Sequence, residues 1–187
     1  MRSGTINLYL GSMRSSKTSK LFEVLDKAQF RRNIKSVLVR PDIDTRNFVS
    51  RYKGYFNENT RIIECGKLLK DIKIQLELFD VICIDEGQFI EDIGIVCNEL
   101  ALNGKEIYIA ALNGDSELGS WDAISNLLPY TDYIERLSGI CEECGKNKTT
   151  FTFFTGNKKS QVVIGDGEYK IYCRECYQKC LEKKNAT

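Results

Sequence analysis

Ahead of its first amphipathic segment the chain carries Gly11-Ser12-Met13-Arg14-Ser15-Ser16-Lys17-Thr18, directly after an apolar run with Ile6, Leu8 and Leu10. A loop of this kind between a strand and a helix turns its backbone N–H groups onto phosphate oxygens. Its Lys neutralises the β- and γ-phosphates, and its Thr hydroxyl joins the shell of a Mg²⁺ ion. Ser16 stands where the pattern G-x-x-x-x-G-K-[ST] has its second Gly. The backbone comes close to phosphate there, and a non-Gly residue held at positive φ costs on the order of 1 kcal/mol. Phosphate binding is expected to survive that cost, in weakened form. Taken alone, the stretch is also compatible with a plain turn before a helix.

Four apolar runs follow the spacing of an alternating fold: Thr5–Leu10, Ser36–Arg40, Val81–Asp85 and Glu106–Leu112. Near-continuous apolar strands suit a parallel sheet covered on both faces. Between them, Lys17–Arg32 places Leu21, Val24, Leu25 and Ala28 on one helical face. Ile93–Leu102 does the same with Ile93, Val96, Cys97 and Leu100, and Asn103-Gly104 supplies its stop. The alternation predicts an α/β fold with right-handed crossovers. A fifth strand, Tyr133–Leu137, is expected to lead out of this unit. After about Gly139 the composition turns to short strands and loops, with strands expected at Thr150–Thr155, Gln161–Ile164 and Tyr169–Tyr172 and a frayed Lys/Asn end. Such a piece holds too little apolar mass to fold unaided. The expected division is 1–138 for the α/β nucleotide-binding domain and 139–187 for a small appended domain.

Charge and composition remove several function classes. A net charge of +1 argues against a dedicated nucleic-acid binder. No stretch has the length of a membrane span and no secretory apolar region precedes the first strand, so a cytoplasmic protein without membrane partners is expected. The chain contains no His, which excludes His-based triads, His-ligated metals and imidazole acid–base chemistry. A general base must then be a carboxylate, Lys, Tyr or Cys.

Val81-Ile82-Cys83-Ile84-Asp85-Glu86 is an apolar strand ending in two acids. In that form the strand delivers Asp85 to the sheet edge beside the phosphate loop, to hold Mg²⁺ through water. Glu86 is left to take a proton from a nucleophile. Two solvated acids at a strand end remain the plainer alternative. Cys141-Glu142-Glu143-Cys144 and Cys173-Arg174-Glu175-Cys176 repeat C-x-x-C, a spacing that closes a tetrahedral structural Zn²⁺ site. Unligated thiols are the alternative, and Cys180 lies nearby as a bystander. Cys65, Cys83 and Cys97 are scattered in apolar surroundings and read as small buried hydrophobes.

In this order the residues resemble the zinc-containing (type II) thymidine kinases over nearly the whole chain. Gly11-x-Met13 through Lys17-Thr18 is similar to that family's phosphate loop, and Asp44-Thr45-Arg46 to its Asp-Thr-Arg element. Asp85-Glu86-Gly87-Gln88-Phe89 matches its Asp-Glu-(Gly/Ala)-Gln-Phe, and Ala110-Ala111-Leu112-Asn113-Gly114 its Ala-Ala-Leu-Asp-Gly with Asn for Asp. The two Cys pairs, with Ile164-Gly165-Asp166 and Tyr169 between them, resemble its zinc-tethered lasso. The resemblance implies a P-loop (RecA-like), mostly parallel sheet flanked by helices, with a C-terminal zinc-binding lasso domain. It implies transfer of the ATP γ-phosphoryl to the 5′-hydroxyl of thymidine, or of deoxyuridine, with Glu86 as the base. Gly11 to Thr18, Asp44, Arg46, Asp85 and Gln88 would serve ATP and its phosphates, Thr18 and Asp85 through Mg²⁺. Met13, Phe89, Leu112, Trp121, Thr152, Gln161, Val162, Val163, Ile164, Gly165 and Tyr169 would surround thymidine. Cys141, Cys144, Cys173 and Cys176 would hold Zn²⁺. A homotetramer and feedback inhibition by dTTP are further implications.

Three departures from the family pattern bear on activity. Ser16 is the first. The second is Asn113-Gly114-Asp115-Ser116-Glu117-Leu118-Gly119-Ser120-Trp121, where an aromatic is replaced by Ser116, a basic pair is missing, and Trp121 stands in for a second aromatic. The third is Phe153-Phe154, in place of the family's Lys/Gln-Arg after Thr152. A catalytically weakened homologue that binds nucleotide as a regulatory or assembly subunit is the competing expectation. A P-loop ATPase whose zinc ribbon meets nucleic acid is a weaker one.

Overall fold

A computed structural model describes residues 3–44, 61–146, 148–156 and 168–185. Strands β1 (Thr5–Gly11), β2 (Ser36–Pro41), β3 (Arg61–Cys65), β4 (Val81–Ile84), β5 (Glu106–Leu112) and β6 (Tyr133–Leu137) form one sheet in the order β3-β2-β4-β5-β1-β6. Every neighbouring pair is parallel. Helices α1 (Lys17–Gln29), α2 (Lys73–Leu76), α3 (Ile93–Leu102) and α4 (Asp122–Leu127) connect these strands.

The period of a strand divides its side chains between two cores. On one face Tyr9, Leu38, Val81, Cys83 and Ala110 meet Leu21, Phe22, Leu25 and Ala28 of α1. On the other, Ile6, Leu8, Val37, Val39, Ile82, Ile84, Ile107 and Ile109 meet Ile93, Val96, Cys97 and Leu100 of α3 and Ile124 and Leu127 of α4. All of β4 is buried because helices cover both of its faces, which is why it reads as an unbroken apolar run. Each fully buried Leu, Ile or Phe here contributes about 1.5–3 kcal/mol of transfer free energy.

The stop at Asn103-Gly104 closes α3 with paired turns. Gly104 sits at φ 85 and donates to the Ala101 carbonyl at 2.9 Å, and Lys105 donates to the Leu100 carbonyl at 3.1 Å. Gly104→Ala would force a Cβ into that left-handed position, and a loss of about 1 kcal/mol in urea denaturation is expected.

Three elements depart from the sequence-based expectation. The strand Tyr133–Leu137 does not leave the unit; it pairs with β1 from Asn7↔Tyr133 to Gly11↔Leu137 and forms the sheet edge. Asp132 secures it, its Oδ2 accepting from the Ile6 N–H at 2.7 Å. The edge strand β3 carries no apolar run, since only Ile63 and Cys65 are buried and Arg61 and Glu64 face outward. Helix α5 (Arg174–Asn185), for which no helical segment was expected, begins within the second Cys pair and reaches into the Lys/Asn end. It buries only a narrow face through Cys176 and Tyr177, so its many Lys and Glu residues read as a solvated tail.

Beyond β6, β7 (Phe151–Phe154) and β8 (Tyr169–Tyr172) form an antiparallel hairpin. The strand expected at Gln161–Ile164 lies outside the described residues. Cys141, Phe153, Tyr172, Cys173, Cys176 and Tyr177 make a small core of their own. No helix among the described residues is long and apolar enough to cross a membrane.

Candidate active site

The C-terminal edge of the parallel sheet collects the chemistry-bearing residues, as is usual in open α/β folds. β1 ends at Gly11, where a Cβ would approach Ser15 Oγ to 2.3 Å and the Leu137 carbonyl to 2.6 Å, so a side chain there is excluded. The loop then folds on itself. Ser15 Oγ and Lys17 Nζ both donate to the Ser12 carbonyl, at 2.8 and 2.7 Å. Ser12, Ser15 and Lys17 are buried. Ser16 adopts φ 63 and ψ 23 at the entry to α1, the left-handed conformation its place in the motif demands, and it is exposed. Arg14 is also left-handed, at φ 54.

β4 delivers Asp85 and Glu86, although β5 lies between it and the loop-bearing β1. The gap is spanned by side chains. Thr18 Oγ1, in the first turn of α1, lies 3.1 and 3.2 Å from the two oxygens of the buried Asp85 carboxylate. A hydroxyl beside an ionised carboxylate is a hard oxygen donor pair of the type that Mg²⁺ takes in phosphate loops. Glu86 stands at φ 50, and its N–H donates to Asp85 Oδ1 at 3.1 Å. Gln88, a few per cent exposed, donates from Nε2 to Glu86 Oε2 at 2.6 Å and accepts from the Leu112 N–H at 3.0 Å. Asp44 is buried beside Arg40, whose Nη2 reaches its carbonyl at 3.1 Å and its carboxylate at 3.4 Å. Arg40 carries no motif in sequence; only the bend after β2 brings it to Asp44. Arg46 lies outside the described residues.

Of the residues expected around the nucleoside, Phe89 and Trp121 meet edge to face, with ring centroids 5.7 Å apart. The buried indole Nε1 of Trp121 has no hydrogen-bond partner among the described residues. Leu112 ends β5 opposite Gly11, and Met13 is half-buried. Met13 donates its N–H to the buried Thr152 hydroxyl at 3.1 Å. Tyr169 packs on Phe154 at 5.0 Å. Gln161, Val162, Val163, Ile164 and Gly165 lie outside the described residues.

The replaced segment after Asn113 is a loop built around Asp115. The carboxylate of Asp115 accepts from the N–H groups of Glu117 at 2.8 Å and Gly119 at 2.7 Å. Phe153 packs between Tyr172 and Tyr177, and both it and Phe154 are buried in the C-terminal hairpin.

The thiols of Cys141, Cys144, Cys173 and Cys176 converge, with their sulfur atoms all within 4.8 Å of one another. Burial opposes ionisation of Cys141, but N–H groups of Cys144, Cys173 and Glu143 point at its sulfur and hold its pKa below the ordinary thiol value. Four soft sulfur donors converging in this way fit a closed Zn²⁺ site. Cys180 is not one of the four. This lobe grips the phosphate loop through residues that no motif singles out. Thr149 Oγ1 shares a hydrogen bond with Ser12 Oγ at 3.0 Å and accepts from the Gly139 N–H at 2.8 Å. Glu142, between two of the thiols, pairs with Arg14. Asn113 Nδ2 donates to the Thr150 carbonyl at 3.2 Å, and Tyr177 Oη to the Ser116 carbonyl at 3.2 Å.

The family model described as thymidine kinase matches residues 4–177. The thymidine kinase of raccoon poxvirus is 31% identical over 95% of this chain and 98% of its own length. That of Bacteroides fragilis is 31% identical over 97% and 91%, and thymidine kinase 1 of Dictyostelium discoideum is 29% identical over 98% and 82%. Among solved structures, the flagellar accessory protein FlaH of Methanocaldococcus jannaschii superimposes with a TM-score of 0.56 at 10% identity, covering 92% of this chain and 86% of that one. That likeness concerns the fold alone. A phosphate loop joined to Asp85, an adjacent Glu86, a cluster of thiols and a match along nearly the full length lead to one conclusion: the chain belongs to the thymidine kinase family.

Proposed function

We propose that the protein transfers the γ-phosphoryl group of ATP to the 5′-hydroxyl of thymidine, with deoxyuridine as a second acceptor. The observation that carries this reading is the junction of Thr18 with Asp85, beside Glu86. Phosphoryl transfer asks the protein mainly for positioning and charge stabilisation. Lys17 meets the β- and γ-phosphates, and the loop N–H groups hold their oxygens. Thr18 and Asp85 would hold Mg²⁺, which would supply charge neutralisation at the transferring phosphate. The 5′-hydroxyl gives its proton to the Glu86 carboxylate as its oxygen bonds to the γ-phosphorus. The bond from that phosphorus to the bridging oxygen breaks, and ADP leaves with the electron pair.

Phe89, Trp121, Leu112, Met13, Thr152 and Tyr169 are assigned to the nucleoside, together with Gln161 to Gly165. Asp44 and Arg46 are assigned to the phosphates, and the four clustered thiols to a structural Zn²⁺. Residues 1–138 are the nucleotide-binding domain and 139–187 the zinc-binding one. Family membership supports a homotetramer, inhibition by dTTP and a cytoplasmic location. The deciding assay is formation of dTMP and ADP from thymidine and Mg·ATP. Binding of both substrates by calorimetry without turnover would instead make the protein a regulatory homologue.

Ser16 adopts the left-handed conformation that its place in the loop requires and its side chain is exposed, so its strain falls on folding. Ser16→Gly is therefore expected to leave kcat/KM for ATP within about threefold of wild type. A gain of about tenfold or more would show that the Ser side chain obstructs the phosphates.

A further inference from the structure

Gln88 follows the acidic pair by two residues, in the short 3₁₀ turn Gly87–Phe89, and both ends of its amide are committed. Its orientation is dictated by its partners. The Leu112 N–H can only donate, so it faces Oε1 at 3.0 Å; the ionised Glu86 carboxylate can only accept, so it faces Nε2 at 2.6 Å. The reversed amide would set oxygen against carboxylate and NH₂ against N–H. A bond to an ionised acceptor at this length is among the stronger ones a neutral side chain makes.

The anchor at the other end matters as much. Leu112 is the last residue of β5, the strand between β4 and the loop-bearing β1, and its register partner is Gly11 at the start of the phosphate loop. Glu86 itself lies just past β4, on a backbone at φ 50 and ψ 42. The Gln88 amide thus ties the carboxylate to the strand next to the phosphate loop.

We propose that Gln88 is a positioning residue that holds the Glu86 carboxylate in register with the phosphate loop, and not a ligand of ATP phosphates. The proposal rests on Glu86 being the base. It is distinct from a plain packing role, because the donor to Glu86 and the acceptor for Leu112 can be removed separately. Gln88→Met has similar length and neither group. Gln88→Glu keeps an acceptor for the Leu112 N–H and replaces the amide donor with a second carboxyl, which sets like charge against Glu86 when both ionise.

The experiment is steady-state kinetics on the full chain with Mg·ATP and thymidine, alongside Glu86→Gln. Both Gln88 variants are expected to lose about 10- to 100-fold in kcat, with KM for each substrate within about threefold. Near-wild-type kcat in Gln88→Glu with a low value in Gln88→Met would reduce Gln88 to a support for β5 and overturn the proposal. A raised KM for ATP with kcat retained would make it a phosphate ligand and overturn it equally. Should Gln88→Met fail to fold, as judged by near-ultraviolet circular dichroism, Gln88→Glu alone decides between these outcomes. Wild-type kcat in Glu86→Gln would sink the base assignment and the positioning role with it. An inactive Glu86→Gln beside a fully active Gln88→Glu would remove the positioning role alone.

Discussion

Glu86→Gln is expected to lower kcat for thymidine phosphorylation by about 10²–10⁴, the range of a general base in hydroxyl activation. The substitution preserves shape and removes the proton acceptor. Substrate binding should survive, because the groups assigned to phosphate lie elsewhere: Lys17 in the loop, and Thr18 with Asp85 across β5. The signature is therefore a fall in kcat with nearly unchanged calorimetric affinities for Mg·ATP and thymidine. An equal fall in affinity would mean that Glu86 serves binding, and full activity would exclude it as the base. The left-handed backbone at Glu86 gives this residue a further mark of function, since a non-Gly residue there costs about 1 kcal/mol or more that packing must offset.

Removal of metal from the cysteine cluster is expected to abolish turnover without melting the sheet. The C-terminal lobe has a core of a few aromatic rings and the thiols themselves, too little apolar mass to order β7, β8 and α5 alone. A closed Cys₄ site supplies binding free energy of about 10–16 kcal/mol in isolated zinc modules, and that energy is folding energy. The lobe also supplies Thr149 to Ser12, Thr152 to Met13 and Glu142 to Arg14, so its loss frees the phosphate loop. Cys173→Ser should lose zinc in elemental analysis and lose more than about tenfold in kcat/KM for ATP. Its α/β sheet should still unfold cooperatively in urea, because both main cores lack any residue of the lobe. Retention of wild-type kinetics in a zinc-free variant would sever the lobe from the loop.

The strands that proved easiest to read were those buried on both sides. β4 announces itself because Val81 and Cys83 face α1 while Ile82 and Ile84 face α3, leaving no polar position along it. β3 was invisible for the opposite reason: an edge strand with one covered face needs only Ile63 and Cys65. Helix α5 leaves no apolar stripe to read, since Cys176 and Tyr177 are its buried residues and its neighbours along the chain are mostly charged. At the site, residue types with fixed chemistry stood out: Lys17, Thr18, Asp85, Glu86 and the paired thiols. The position of Gln88 in the motif says nothing of the two partners its amide meets.

Sequence alone determined the phosphate loop, the acidic strand end, the paired thiols and the alternation of strand and helix. Each depends on spacing along the chain, and backbone periodicity turns spacing directly into geometry. Tertiary structure alone decided that β5 separates the loop from the acidic strand, that Thr18 nonetheless reaches Asp85, and that Thr149, Thr152 and Glu142 brace the loop from the far end of the chain. It also decided the strain at Ser16, which the motif could only anticipate. These contacts join residues far apart in sequence, where no local pattern specifies which side chains will face one another.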